Sequence, residues 1–539
     1  MAHKIFFKVL AIINFSLFNL LLPSCSSGKS KEPDIKSVVG IYSSQNFPEL
    51  SLDSSAINSF FETFSASDSI KNEVNRFYES RSYQFAWLSE NGLTAAASGF
   101  YEQMKTDSRD FDDNTLCNAP LDTLYEAVTV NEKAFVSQND KVTQLELLLT
   151  ASFFKYARKM YGGITRESKN LEWYIPRKKK NYLVLLDSLV SLSPGETLEE
   201  PVNEYYIKLK EKLRIFRSIQ KNGGLPLLVT TKKLLITGDR DSCLLKAKQH
   251  LFITGDLKLN DTSILFTDSL MKAVKNYQKR MGLPDNGKIN IATIKEMNKP
   301  IEERIMQIMV NMERLRWLPV QMEKDYLLVN IPEFKLHVFE NNKQVWSSNV
   351  VVGKAVKQTT IFRDNVSQII FNPYWDVPAS IAKKEILPAI KRNPAYLSNN
   401  NMEVVSHSPF TVRQKPGTSN ALGKVKFLFP NNYNIYLHDT PSKNLFGETK
   451  RAFSHGCIRV ENPLWLAQYL LRKDTSWTME KINAILKTDK TFPVQIDPVV
   501  PVYIAYFTAW VDNAGQINFT NDLCGLDKKL SGEIFEEKK

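Results

Sequence analysis

The sequence predicts a multidomain α+β protein in which a long helical part precedes a β-rich part. Apolar residues recur at three- and four-residue spacings across residues 59–217, as in VTQLELLLTASFFKYARKMYGG, which is typical of helices. From Tyr326 onward the pattern changes to alternating runs rich in valine and aromatic residues, which is typical of strands. The chain has 539 residues, of which 43% are hydrophobic, so it can form about three domains with large cores.

The first 25 residues, MAHKIFFKVLAIINFSLFNLLLPSC, have the pattern of a secretory signal, because Lys4 and Lys8 precede an apolar run that ends near Leu22. This run is shorter than a membrane-spanning helix requires. Cys25 follows Leu-Pro-Ser, which resembles a bacterial lipoprotein cleavage site. We therefore expect residues 1–24 to be removed and Cys25 to become the lipidated first residue. An ordinary signal peptide and an uncleaved anchor are the alternatives.

Residues 25–58 begin with the polar stretch CSSGKSKEPDIKS and are predicted to form a tether between a lipid anchor and the folded domains. These features predict a protein that is exported to the periplasm and held on a membrane through lipid. The five cysteines are few for an exported chain, which argues against a disulfide framework.

The formal net charge of +12 is spread along the chain, and the longest run of lysines is Lys178–Lys180, which follows Arg177. Nucleic-acid-binding proteins usually carry a denser basic patch, so we expect no nucleic-acid partner. A mildly basic surface suits an anionic polymer outside the cell equally well.

Residues 59–240 are predicted to form a helical scaffold domain that holds no constellation of catalytic residues. Residues 241–300 are predicted to form a separate three-helix unit. Its sequence FTDSLMKAVKNYQKRMGLPDNGKINIATIKEMN indicates a helix, a GLPDNGKI turn and a second helix that begins at Asn290. One face of the first helix carries the apolar residues Leu270, Val274, Tyr277 and Met281, which we expect to form the core of the unit.

The 241–300 unit resembles the peptidoglycan-binding module of many wall hydrolases. The residues that carry this resemblance are Ala273-Val274, Tyr277-Gln278, Gly282-Leu283, Asp285, Gly287 and the helix Ile291–Met297. A three-helix bundle that has no affinity for the wall is the alternative, because such modules can lose binding and keep their core.

Residues 301–323 are predicted to form a connecting helix, residues 324–500 a mostly-β catalytic domain and residues 501–539 a C-terminal extension. The segment YLLVNIPEFKLHVFENNKQVWSSNVVVG contains two alternating runs joined by an Asn341-Asn342 turn, which predicts a hairpin. Further strands are expected at residues 367–371, 424–429 and 434–438. A helix-like insertion at residues 379–408 interrupts the strands.

Cys457, in the sequence Ser454-His455-Gly456-Cys457, is the strongest candidate for chemistry. It could bind zinc together with His438 and His455, although zinc sites usually have paired ligands at short spacing. It could also be an inert buried thiol, or form a disulfide with Cys117, Cys243 or Cys524. A nucleophile would need a thiolate, a base and hydrogen-bond donors for an oxyanion.

The neighbouring residues can meet these needs. His438 ends the predicted strand NIYLH, and it shares a face with Tyr436 because strand side chains alternate. The fifteen residues 439–453 are enough to bring Cys457 back against that strand. The backbone N–H groups of Gly456 and Cys457 are candidate oxyanion donors.

His438 and the later Ser-His-Gly-Cys resemble the signature of the YkuD-type L,D-transpeptidases. The resemblance extends to the segments NMERLRWLP, VNIPEFKLHVFE, VVVGK, FNPYWDVP, VRQKPGTSNALGKVKF and YLHDTPSKNLF. It is strongest from Asn311 to Leu471 and points to the large YcbB-like branch. That branch has a scaffold domain, a peptidoglycan-binding module and a catalytic domain in the same order as here.

The resemblance implies a peptidoglycan L,D-transpeptidase that needs neither a metal nor a cofactor. Cys457 would attack the carbonyl of the third residue, a diamino acid, of a donor tetrapeptide stem and release the terminal D-alanine. His438 would take the thiol proton and return it to the leaving amine. The acyl group would then pass to the side-chain amine of a second stem and crosslink two third residues. Carbapenems are expected to acylate the same thiol.

The supporting roles are left open. His455 would orient the thiolate or make a structural hydrogen bond, and Arg459 would bind a substrate carboxylate or hold its loop. Residues 379–408 would form a capping subdomain. Peptidoglycan stem peptides are the expected partners, and other wall-synthesis enzymes are further candidates. The alternative functions are an L,D-carboxypeptidase, in which water is the acceptor, and a non-catalytic wall-binding lipoprotein.

Overall fold

The computed structural model describes residues 50–132, 139–164, 171–193 and 195–535. The predicted signal, Cys25 and most of the predicted tether lie outside these residues. Helix α1 (Ser54–Thr63) begins inside the predicted tether, and the Asp53 side chain caps it by accepting a hydrogen bond from the Ser55 N–H at 3.0 Å. Across the described ranges, no helix has both the length and the apolar character needed to span a membrane.

The part up to residue 221 is mainly helical, as the apolar spacing predicts. After α1 it contains α2 (Asp68–Ser80), strands β1 (Leu88–Ser89) and β2 (Gly92–Leu93), α3 (Ala95–Phe111), α4 (Ala119–Val130), α5 (Asn139–Ala157), α6 (Tyr182–Val190) and α7 (Glu204–Lys221). Glu146 of α5 is fully buried, and its carboxylate accepts hydrogen bonds from the backbone N–H groups of Ala86, Trp87 and Leu88. These bonds fix the β1 region to the helical core.

The predicted three-helix unit is present, with a short strand pair that the pattern does not predict. It contains β3 (Leu234–Leu235), α8 (Cys243–Ile253), α9 (Asp268–Arg280), β4 (Ile289–Asn290) and α10 (Ile291–Met297), and α11 (Ile301–Arg316) follows it. The predicted core residues of the α9 face are buried. Asn290 caps α10 by accepting a hydrogen bond from the Thr293 N–H at 2.9 Å, which confirms the predicted entry point of the helix.

The β-rich part begins after α11. In chain order it contains β5 (Tyr326–Asn330), β6 (Lys335–Glu340), β7 (Lys343–Gly353), β8 (Phe362–Phe371), β9 (Trp375–Asp376), α12 (Ala379–Ile381), α13 (Leu387–Arg392), α14 (Tyr396–Asn399), β10 (Met402–His407), β11 (Phe410–Gln414), β12 (Val425–Leu428), β13 (Leu437–His438), β14 (Ala452–Ser454), β15 (Ile458–Val460), α15 (Pro463–Leu470), α16 (Met479–Leu486), β16 (Phe492–Ala505), β17 (Ala509–Val511), β18 (Ile517–Phe519) and α17 (Leu526–Phe535).

The main sheet has nine strands in the order β14-β7-β15-β13-β12-β8-β16-β5-β6, and β6 also pairs with β7, so the sheet closes on itself. The predicted β6–β7 turn is present, because Asn341 and Asn342 have φ angles of 50° and 61°, as a tight hairpin turn requires. β16 runs to Ala505 and pairs with β5 in parallel. The sheet therefore includes residues beyond position 500, the predicted end of the domain.

The insertion between β8 and β12, here called the cap, contains strands as well as helices. The prediction for residues 379–408 was helical, but the short helices end at Asn399, and β10 pairs with β11, which pairs with β9. The β-branched Val404-Val405 pair favours a strand there. The cap has its own small core of Val377, Ala382, Ile386 and Val412, separate from the main core. It extends past residue 408, through β11.

Candidate active site

His438 ends β13, and Cys457 directly precedes β15, the strand that pairs with β13 in the main sheet. β13 and β15 pair in parallel, and His438 is aligned with Arg459. The ladder continues to Tyr436, whose carbonyl accepts a hydrogen bond from the Ile458 N–H at 3.1 Å. Because strand side chains alternate, Tyr436 and His438 share one face with Cys457 and Arg459. The rings of Tyr436 and His438 are 5.6 Å apart, as the strand NIYLH predicts.

The turn that carries Cys457 is held by two hydroxyl groups. Ser454 Oγ donates to the Cys457 carbonyl at 2.6 Å and accepts from the Gly456 N–H at 3.1 Å. Gly456 has a φ of +120°, a conformation that L side chains rarely adopt. Its carbonyl accepts from Thr359 Oγ1 at 2.7 Å. Ser454 therefore has a structural role here, and Thr359 is a supporting residue that the sequence analysis missed.

These hydrogen bonds change the expected oxyanion site. The Gly456 N–H is engaged by Ser454 Oγ, so it does not point freely at a substrate as we expected. In the described part of the chain, the Cys457 N–H has no hydrogen-bond acceptor. The Cys457 amide therefore remains the candidate oxyanion donor.

The environment of the Cys457 side chain favours the thiol over the thiolate. Its S–H donates to the Asn434 carbonyl at 3.5 Å. Burial raises the pKa of the Cys457 thiol, and this effect is opposed by hydrogen bonding to Tyr436 and by the positive charges of Lys426 and Arg459. A thiol with a raised pKa needs a base before it can attack a carbonyl.

His438 has the form that such a base requires. Burial, together with the charges of Arg459 and Lys426 and against the effect of the Asp439 backbone, lowers the pKa of His438 to about 3. The imidazole is therefore neutral near pH 7. Its Nδ1 lies 2.5 Å from the Asp439 carbonyl oxygen, so Nδ1 carries the proton and Nε2 can accept one. This arrangement suits a base that acts during attack better than a resting ion pair.

His455 faces the cap. Its Nε2 lies 3.3 Å from the Glu385 carboxylate, in the π-helical turn Ala382–Ile386 of the cap, and its side chain is 41% exposed. Partial burial lowers the pKa of His455, and the charge of Lys357 lowers it further. His455 thus connects the Cys457 turn to the cap, and Glu385 is a second residue that the sequence analysis missed.

Two cations line the face that carries the thiol. Burial lowers the pKa of Arg459, while a negative charge on Cys457 would raise it. Among the described residues, Arg459 forms no ion pair, and its buried Nε has no hydrogen-bond partner. Lys426 of β12 lies directly opposite His438 across the strand pair. The absence of bonds from Arg459 to the turn favours a role in binding a carboxylate over a role in holding the loop.

Asp439, next to His438, belongs to the supporting structure. Its Oδ1 accepts from Lys443 Nζ at 2.7 Å and its Oδ2 accepts from the Lys424 N–H at 2.8 Å. Both oxygens are thus bound by other donors, and the imidazole of His438 contacts the Asp439 backbone carbonyl instead.

The remaining alternatives for Cys457 can be compared with the geometry. The four cysteines within the described ranges, Cys117, Cys243, Cys457 and Cys524, are all free. The same ranges contain no group of three or more His, Cys, Asp and Glu side chains that could hold a metal ion. His438 faces the thiol side of the sheet and His455 faces Glu385, so the two histidines do not converge as zinc ligands would.

Two parts of the chain match known family models. Residues 324–496 match the YkuD L,D-transpeptidase catalytic domain, and residues 72–213 match a scaffold domain. A candidate L,D-transpeptidase of Haemophilus influenzae is 33% identical over 262 residues, which cover 45% of this chain and 51% of that protein. The chain thus spans about half the length of the curated relative that it matches.

Solved L,D-transpeptidase structures align with low scores. The enzyme from Stackebrandtia nassauensis has 12% identity and a TM-score of 0.21, and the alignment covers 52% of this chain and 96% of that one. The enzyme from Xylanimonas cellulosilytica has 15% identity and a TM-score of 0.19, with coverage of 51% and 100%. The assignment therefore rests on the sequence matches. This chain carries a YkuD-type L,D-transpeptidase catalytic domain at residues 324–496, preceded by a scaffold domain at residues 72–213.

Proposed function

We propose that this protein is a peptidoglycan L,D-transpeptidase that crosslinks third-position diamino acid residues through an acyl-enzyme on Cys457. The observation that carries the proposal is that the pairing of β13 with β15 places His438 and Cys457, the residue just before β15, on one face of the sheet inside the matched catalytic domain. The neutral imidazole and the protonated thiol are the forms from which base-assisted attack begins.

The first half of the reaction makes the acyl-enzyme. His438 Nε2 takes the proton from the thiol, and the sulfur attacks the carbonyl carbon of the third residue of the donor stem. The Cys457 N–H stabilises the negative charge on the carbonyl oxygen. The bond from this carbon to the D-alanine nitrogen then breaks, and His438 gives its proton to the leaving amine. The product is a thioester and free D-alanine.

The second half consumes the thioester. The side-chain amine of a second stem attacks the same carbonyl and gives a proton to His438. The bond from carbon to sulfur then breaks, and His438 returns the proton to the Cys457 sulfur. One amide has been exchanged for another, so the step needs no external energy source. With water in place of the amine, the same residues would carry out the L,D-carboxypeptidase reaction.

Incubation of the purified protein with tetrapeptide stems tests the proposal. Mass spectrometry should find a crosslinked dimer that lacks one D-alanine, whereas a carboxypeptidase would give only the trimmed monomer. Cys457→Ala should abolish the dimer and any covalent carbapenem adduct while circular dichroism stays unchanged, because a small thiol contributes little packing. Cys524→Ala, at another free cysteine, is the matched control and should keep both activities. An adduct that persists on Cys457→Ala contradicts the assignment.

We also propose that the protein is exported to the periplasm and anchored by lipid on Cys25. The support is the sequence pattern that surrounds this residue. Acyl chains contribute about 0.8 kcal/mol per buried methylene, so the mature protein should stay with membranes through a salt wash. Cys25→Ser should release the protein or leave it unprocessed. A Cys25→Ser protein that fractionates and is processed like the parent contradicts the anchor.

A further inference from the structure

A cavity of about 500 Å³ lies next to the residues that contact the Cys457 thiol. Asn434, whose carbonyl accepts the thiol hydrogen, lines this cavity together with Tyr436. The remaining lining residues are Ser367, Gln368, Lys426, Leu428, Phe429, Pro430, Asn431, Ile435 and Gln495. The wall thus carries four amide side chains and one cation, and it contains no acidic residue. Such a wall suits a peptide that bears a negative charge.

Lys426 is the cation of this wall. It lies on β12 opposite His438, and its Nζ is 4.1 Å from the centre of the Tyr436 ring. Burial lowers the pKa of Lys426, whereas a thiolate at Cys457 and the carboxylate of Asp376 would raise it. In the described ranges Lys426 forms no ion pair, with Asp376 or with any other acid. A partly buried ammonium without a counterion is costly, and an arriving carboxylate would offset that cost.

We propose that this cavity is a carboxylate subsite for a stem peptide, with Lys426 as the residue that binds the carboxylate. The proposal rests on the proposed function for the identity of the ligand. Charge-assisted hydrogen bonds from the ammonium are stronger than those of the neutral amides around it, so Lys426 would select for charge. Gln368, Gln495 and Asn431 would bind peptide groups of the same ligand.

The position of the cavity indicates which part of the donor it holds. Asn434 and Tyr436, which both interact with the Cys457 side chain, line the cavity, whereas His438 does not. The leaving amine must lie beside His438, because His438 protonates it. The cavity therefore receives the acyl part of the donor, which stays on Cys457 after D-alanine leaves. Its carboxylate belongs either to the side chain of the third residue or to an acidic residue before it.

Binding to the Cys457→Ala protein tests the subsite without turnover. Three tetrapeptide stems are compared by calorimetry: unmodified, amidated at the third-residue side chain, and amidated at the acidic residue before it. One of the two amidations should weaken binding by roughly tenfold to a hundredfold, the range for loss of a charged hydrogen-bond partner. Adding Lys426→Gln should weaken the unmodified stem to the same level and remove the difference. Lys426→Arg, which keeps the positive charge, should retain part of the difference in affinity between the unmodified and amidated stems.

Lys424→Gln is the matched control, because Lys424 lies two residues away and its ammonium pairs with Asp489 at 3.0 Å. It should leave all three affinities unchanged. Equal affinities of the parent site for the three stems would overturn the proposal, as would a Lys426→Gln change that weakens acidic and amidated stems by the same factor. Failure of the proposed function would appear separately, as an intact Cys457 protein that forms no thioester with these stems.

Discussion

The buried cations of helix α11 and those of the active-site face have different surroundings. In α11, Arg304 is paired with Glu296, Arg314 with Asp527 at 2.5 Å, and Arg316 with Glu313 at 2.5 Å. The first pair connects α11 to α10, the second connects α11 to α17, and the third lies within α11. Each buried charge has a counterion that the fold supplies.

Lys426 and Arg459, on the face that carries Cys457, have no such counterions among the described residues. The fold thus leaves two partly buried positive charges next to the Cys457 thiol. Burial alone therefore does not separate structural from functional charges in this protein, because both regions contain buried cations. The absence of a counterion does separate them, because a buried charge without a counterion reduces stability unless a ligand neutralises it.

The largest expected effect comes from breaking a paired charge in α11. Glu313 accepts hydrogen bonds from the Ile164 N–H at 2.8 Å, from Trp317 Nε1 at 3.0 Å and from Arg316. Glu313→Gln would leave Arg316 buried without a counterion, so the free energy of unfolding should fall by about 3 to 5 kcal/mol. Urea unfolding followed by tryptophan fluorescence measures this change.

The matched control for Glu313→Gln is Arg459→Met on the active-site face. It removes a charge that has no counterion, so the free energy of unfolding should change by less than about 1 kcal/mol or should rise. Equal losses for the two variants would mean that Arg459 is as strongly bound within the fold as Arg316, and the comparison would fail.

The next largest effect concerns the base. His438→Ala should lower the rate of carbapenem acylation by roughly 10²-fold or more, the range for loss of a positioned general base. His455→Ala should cost less, because His455 is paired with Glu385 of the cap. Stopped-flow fluorescence measures both rates, and circular dichroism checks folding. If a folded His455→Ala protein is slow while His438→Ala acylates at the parent rate, the two histidines have been assigned the wrong way round.

A smaller effect should appear in the pH dependence of stability. Burial lowers the pKa of His438 to about 3, whereas an unfolded histidine titrates near 6.5. Between these values the unfolded state binds the proton and the folded state does not. The contribution of His438 to stability is therefore complete above pH 6.5 and is lost as the pH falls toward 3, at roughly 1.4 kcal/mol per pH unit.

His250, in the three-helix unit, is the matched residue for this experiment, because burial and the charges of Arg304 and Arg280 also lower its pKa to about 3. His438→Gln and His250→Gln should each reduce the loss of stability between pH 6.5 and 4.5 by a similar amount. The pH-dependent change in the free energy of unfolding of each variant is compared with that of the parent protein, so that the contributions of the other titratable groups cancel. An unchanged slope in His438→Gln would show that its imidazole is protonated in the folded protein.

The sequence predicts those parts of the site that depend on local spacing. Strand alternation places Tyr436 and His438 on one face, and the Ser-His-Gly-Cys run places the thiol within reach. It could not predict Lys426, because the neighbour of His438 across the sheet depends on how β12 and β13 align. Nor could the sequence predict that Ser454 Oγ accepts a hydrogen bond from the Gly456 N–H. A nearby side-chain acceptor of this kind competes with the oxyanion for that amide.

The cap shows the same limit on a larger scale. Residues 382–392 have helical spacing and are helical, but the partner strand of Met402–His407 lies at Phe410–Gln414, outside the predicted insertion. A strand of this kind is stabilised by its neighbour and by burial against Val377 and Ile386, which a local pattern does not contain. Tertiary contacts therefore determine the secondary structure of residues 402–414, which local propensity alone does not predict.

The smallest effect is expected at the contact between the cap and the Cys457 turn. The Glu385 carboxylate and His455 Nε2 are 3.3 Å apart, and both side chains are largely exposed, at 54% and 41%. Exposed pairs contribute about 0.2 to 1 kcal/mol, and salt screens them. Glu385→Gln should therefore change acylation by less than about fivefold at low salt and by less at 0.5 M salt. A large, salt-independent loss would mean that the cap positions Cys457 through His455, which would make this pair part of the site rather than a surface contact.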